Sequence, residues 1–148
     1  MRAVLSALTA LLYALLFAAY AAAQNPELTL SIAGQKLRAE VAATHESRIQ
    51  GLMHREQLPE NRGMLFVYPE AETQQMWMLN TLIPLSVAFI GRDGRILNIR
   101  DMEPQSVEIH ASKGAAAYSL EMNRGWFAKR GIGPGARVEG LEAAPEPD

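Results

Sequence analysis

A chain of 148 residues, 49% of them hydrophobic, can enclose one core but not two. Its 14 basic and 16 acidic residues are interspersed, so the sequence offers no basic cluster of the kind nucleic-acid binding needs. It has no cysteine, which excludes disulfides, thiol redox chemistry and thiolate metal sites.

Met1-Arg2 precedes an apolar run from Ala3 to Tyr20, closed by Ala21-Ala22-Ala23. A positive start, an apolar middle and a small-residue ending describe a secretory signal peptide, with cleavage expected after Ala23 and a periplasmic or secreted product. A retained anchor is the alternative, because roughly 20 apolar helical residues span a bilayer. The alanine-rich end favours cleavage, since it presents small side chains to a peptidase. Loss of Arg2 leaves 13 basic residues against 16 acidic ones, a net charge of about −3. A single domain is expected over residues 24–142.

In the mature chain, Leu28, Leu30 and Ile32 alternate with polar residues, as do Leu37, Ala39 and Val41 after Ala33-Gly34-Gln35. This spacing predicts a β-hairpin. Thr44 is placed to cap a short helix over His45–Met53, with Glu46 near its positive end. Met64–Tyr68 reads as a strand that Pro69 ends, and a polar stretch leads to Met76-Trp77-Met78. Ile83–Ile90 and Ile96–Ile99 flank Asp93-Gly94, a strong hairpin signal. Glu103–Gly114 lacks periodicity and reads as a long loop. Ala117–Met122 resumes strand spacing, Asn123 is placed to cap a short helix ended by Gly131, and Arg137–Glu139 is the last strand. The tail 143–148, acidic and proline-rich, is expected to be disordered. The fold class is therefore mainly β, a small sandwich or barrel-like domain of about seven short strands with one or two short helices.

Three stretches, Glu46–Arg55, Gly63–Tyr68 and Met76–Leu85, resemble in order and spacing the family called domain of unknown function 192. Tyr118–Gly125, followed by Gly131-Ile132-Gly133-Pro134-Gly135, is similar to that family's C-terminal signature. The resemblance implies a compact β-rich domain, often carried behind an export signal, and implies no activity. The chain departs from the usual pattern at Leu79, where a lysine is common, and at Ser86, where an acidic residue is common.

Polar and aromatic residues inside these apolar motifs mark the candidate ligand-binding set: Glu46, Arg48, Met53, Arg55, Trp77, Asn80, Thr81 and Glu121. Asn80, with Trp77 at its mouth, suits a concave site that combines aromatic walls with a few fixed hydrogen-bonding groups. Extended geometry sends Met76, Met78 and Asn80 to one side and Trp77 and Leu79 to the other. Gly51 inside a helix costs roughly 1 kcal/mol relative to alanine, which points to close packing or ligand approach there. The leading expectation is an exported, non-enzymatic, monomeric binding module. Its partner would be a small molecule or an envelope protein, without nucleic acid, cofactor or stable membrane insertion after cleavage. One alternative is a small envelope hydrolase acting on carbohydrate or peptide, with Asp101-x-Glu103 supplying carboxylates on one strand face. Another is a copper-binding protein using Met76-x-Met78 with His54, as thioethers suit Cu(I). Ser86, Ser106, Ser112 and Ser119 with His45, His54 and His110 show no triad spacing, and no catalytic residue or metal ligand is assigned.

Overall fold

Alternating apolar residues give the strands their pairing faces, and a computed structural model describes residues 25–148 of the result. The expected signal segment and its cleavage point lie outside the described residues. The elements in chain order are β1 (Glu27–Ile32), β2 (Gln35–Ala42), α1 (His45–Gln50), β3 (Arg62–Met76), β4 (Leu85–Ile90), β5 (Ile96–Met102), β6 (His110–Asn123) and β7 (Val138–Glu139). Two 3-10 turns, Ala128–Arg130 and Leu141–Ala143, complete them. No helix among the described residues is long and apolar enough to cross a membrane.

All seven strands belong to one sheet in the order β5-β4-β6-β3-β2-β1-β7, so the architecture is a curled half-barrel rather than a sandwich. Among the described residues only β2 and β3 run parallel, joined by the crossover that carries α1. The two ends of the sheet are tied together: Ile96 N donates to Ala136 O at 2.9 Å and Val138 N to Gly94 O at 2.8 Å. This contact covers edges that would otherwise be open to pairing with another chain.

Two apolar layers result. The concave face gathers Leu30, Ile32, Leu37, Leu65, Ala88, Ile90, Leu120 and Met122, closed at one end by Trp126 and Phe127. The opposite face of β3 and β4 carries Met64, Phe66, Leu85, Val87 and Phe89, covered by Leu52, Met78 and Ile83 from the connecting segments. Every residue of β4 is buried, because the strand is packed on both faces.

Several expectations are revised. Pro69 does not end β3: it falls in the register shift between Val67 and Glu72, where the ladder is interrupted and its missing N–H costs nothing. The long loop shortens to residues 103–109, since β6 begins at His110 opposite Met76. Asn123 caps no helix; its Nδ2 donates to Leu58 O at 2.7 Å, while Gly131 ends a 3-10 turn in the left-handed conformation. The tail, expected to be disordered, lies back on α1: Asp148 Oδ1 accepts from His45 N at 2.7 Å, and Ala144 packs on the concave layer.

Candidate functional site

Helix α1 begins where Thr44 accepts a hydrogen bond from Ser47 N at 3.1 Å, with the Ser47 hydroxyl returning to the Thr44 N–H in a capping box. It stops at Gly51 rather than continuing to Met53. Gly51 has φ +48, and a Cβ there would sit 3.3 Å from the Phe66 ring, so this glycine serves packing of the helix end on the sheet. The chain then turns through His54, whose N–H donates to Asn80 O at 2.9 Å and ties the two covering segments together.

Strand register lines up Arg100, Val87, Glu121, Met64, Glu40 and Glu27 in one transverse row on the covered face. Gly63 allows this row to close up, because a Cβ at that position would overlap the Glu121 carbonyl and the Met122 thioether. At the open end of the row, Arg55 reaches down from the covering segment to form a bidentate pair with Glu40, at 2.5 and 2.7 Å. That bond holds the guanidinium above its ordinary pKa. Arg62 and Arg38 share Glu27 beside it.

Between α1 and this row opens a cleft of about 1270 Å³ lined by Glu27, Glu40, Glu46, Met53, Arg55 and Arg62 among others. Of the expected site residues, Glu46, Met53 and Arg55 line it, while Arg48, Trp77, Asn80, Thr81 and Glu121 do not. The Arg48 guanidinium turns inward and donates to the carbonyls of Ala43 (2.5 Å) and Val67 (3.2 Å) and to Asp148. Thr81 is buried, with its hydroxyl donating to Leu79 O. Asn80 is exposed at φ 55, and Trp77 is 53% exposed beside the exposed Leu79 and Leu82. The expected alternation holds only as far as Leu79: Met76 and Met78 pack into the covered layer and Trp77 and Leu79 face outward, but Asn80, expected on the side of the methionines, is exposed because the chain leaves extended geometry in a turn there.

Glu121 occupies the buried middle of the row. It is 4% exposed, no side-chain hydrogen bond or ion pair among the described residues reaches its carboxyl, and burial pushes its pKa up to about 8. Two residues along the same face, Ser119 accepts a 3.1 Å hydrogen bond from the Tyr68 hydroxyl, which also approaches Met76 Sδ at 3.4 Å. Burial raises the Tyr68 phenol to about 12. Glu40, Glu27, Tyr68 and Ser119 were absent from the expected set. Glu40 occupies a polar position in an alternating strand, a pattern that equally describes an ordinary solvated face.

The carboxylates of the hydrolase reading are engaged separately. Asp101 accepts from Ser86 Oγ at 2.5 Å within β4–β5. Glu103 lies past the end of β5 and pairs with Arg124 at 2.5 Å, which lowers the pKa of its carboxyl. Ser86 also accepts from Gly125 N at 2.9 Å, so Asp101 brings a carboxylate to this position from the neighbouring strand. His54 is exposed while Met78 is fully buried, which separates the imidazole from the layer that holds the thioethers. Among the described residues, no three His, Cys, Asp or Glu side chains gather to hold a metal ion.

Together the fold and the cleft define a small half-barrel β domain with a charged groove beside the short helix α1. The chain belongs to the domain of unknown function 192 family, described as an uncharacterized ACR, whose pattern matches residues 28–140. A crystal structure of a Sinorhizobium meliloti 1021 protein, provisionally described as a transcription regulator, is similar with a TM-score of 0.76 and 36% identity. That match covers 80% of this chain and 96% of the other. A protein of unknown function from Novosphingobium aromaticivorans DSM 12444 is similar with a TM-score of 0.69 and 31% identity, covering 76% of this chain and 83% of that one. A comparison with curated proteins returns no match.

Proposed function

We propose that this protein is an exported binding module that takes a small polar ligand carrying a basic group into the cleft beside α1. The observation that carries the reading is the state of the three cleft carboxylates. Glu27 and Glu40 are already held by Arg62 and Arg55, whereas Glu46 enters none of the ion pairs among the described residues. A cation seated there meets an uncommitted carboxylate, with Met53 and the 60% exposed Ile49 supplying apolar contact. The Arg55–Glu40 pair fixes the wall without offering a charge of its own.

Other readings draw less support. The cleft carboxylates Glu27 and Glu40, and Asp101 and Glu103 elsewhere, all have partners, which leaves no carboxylate pair among them poised for acid–base hydrolysis. A transcriptional role like that in the description of the S. meliloti protein would need free cations for phosphate. Here seven arginines pair with carboxylates, and the cations in no ion pair among the described residues, Lys36, Arg92, Arg100, Lys113, Lys129 and Arg137, are scattered along the chain and form no basic run in the sequence.

Calorimetric titration with putrescine and L-arginine, using L-glutamate as the acidic control, tests the reading. One of the two cations is expected to bind, and Glu46→Gln to weaken it at least tenfold without changing the melting temperature. No binding of either cation, or equal binding of L-glutamate, ends the proposal. Export is tested by the mass of the protein recovered from the envelope: a chain beginning at Gln24 is expected, and an intact chain beginning at Met1 contradicts cleavage.

A further inference from the structure

The far ends of β3 and β6 hold a second polar feature, none of whose residues lines the cleft. His110 opens β6 directly across from Met76, the last residue of β3. Direct cross-strand partners project to the same face. Met76 packs on the covered layer and meets the Tyr68 hydroxyl there, so the imidazole faces that layer too. His110 is only 9% exposed, and its Nε2 is a buried side-chain nitrogen with no hydrogen-bond partner among the described residues. An unpaired buried polar atom is costly, so it points to a ligand that completes it. Met78, fully buried, contributes a second thioether to the same layer.

We propose that His110 Nε2 and the thioethers of Met76 and Met78 form a binding site for a monovalent soft metal ion, Cu(I). The donor chemistry selects the ion. Neutral imidazole and thioether donors suit Cu(I), which has no strong geometric demand, whereas Zn(II) favours thiolate, imidazole and carboxylate donors. Thioethers need no deprotonation, and in a chain without cysteine they are the only sulfur donors. The ion brings one positive charge to three uncharged donors, and the binding involves no redox step. The imidazole that serves is His110, not the exposed His54.

The test is anaerobic transfer of Cu(I) from a chromophoric chelator to the purified protein, followed by X-ray absorption at the copper edge. One equivalent is expected to transfer, with one nitrogen and two sulfur scatterers. Met76→Leu with Met78→Leu, a volume-conserving pair, is expected to lower the affinity at least tenfold while the melting transition persists. His110→Gln is expected to do the same, and Zn(II) to be left with the chelator. Absence of transfer overturns the proposal, as does transfer undiminished in the methionine pair. Sulfur-only scattering, or undiminished binding in a folded His110→Gln protein, removes His110 from the site and overturns the assignment. Should His110→Gln fail to fold, the methionine pair and the scatterer count decide the matter alone.

Discussion

Glu121→Gln isolates the cost of keeping a carboxyl group in an apolar layer. Burial pushes the wild-type carboxyl up to about 8 from its ordinary 4.5, so the folded state holds a proton that the unfolded chain has released. Between those two values the unfolded state binds fewer protons, and stability must fall as pH rises. The contribution is fully present below pH 4.5 and is lost as pH passes 8. Linkage over that interval makes wild type about 4 kcal/mol less stable at pH 9 than at pH 5 from this group alone. Glutamine cannot ionise, so the variant should lack this slope, match wild type near pH 5 within about 1–2 kcal/mol, and exceed it at pH 9. Urea denaturation of both proteins at pH 5, 7 and 9 measures the difference. Parallel stability profiles would refute the reasoning and would mean that the carboxyl finds water or a cation in solution.

Other consequences concern the framework of the site. Gly63→Ala forces a Cβ against the Glu121 carbonyl and the Met122 thioether, and should cost about 3 kcal/mol or prevent folding, read by denaturation midpoint. Arg55→Ala leaves the Glu40 carboxylate half-buried without its partner. The loss should be about 1 kcal/mol, discounted for exposure, and a double-mutant cycle with Glu40→Gln should show coupling. Thr44→Ala removes the α1 capping box and should cost about 1 kcal/mol, with faster hydrogen exchange confined to residues 45–51. Phe89→Ala opens a cavity in the covered layer and should cost about 3–5 kcal/mol by the same denaturation assay.

Local chemistry made some features legible in the sequence. The β4–β5 hairpin followed from Asp93-Gly94, where Gly94 takes φ +79 and the Asp93 carboxylate accepts the Arg95 N–H at 3.1 Å. Thr44 capped its helix as read, because capping depends on a side chain and an amide three residues apart. The length of β3 was not legible: Pro69 is a strand-breaker unless a bulge removes the need for its N–H, and the bulge exists only in the pairing with β6. The cleft was half legible. Glu46, Met53 and Arg55 lie within ten residues, but Glu40 joins them only through the parallel pairing of β2 with β3, a tertiary event. Arg48 carried the same apparent signal as Arg55, yet it satisfies the Ala43 and Val67 carbonyls. Which carbonyls lack partners is decided by the whole fold, so sequence alone could not separate the two arginines.

The central claim is that the groove beside α1 receives a basic ligand at Glu46. Amide chemical-shift mapping with L-arginine tests it most directly: shifts that saturate at Glu46, Gln50, Met53 and Arg55, while Trp77 and Ile109 stay fixed, are the predicted result. Shifts centred on Trp77, Leu82 and Val107, or none anywhere, would contradict it.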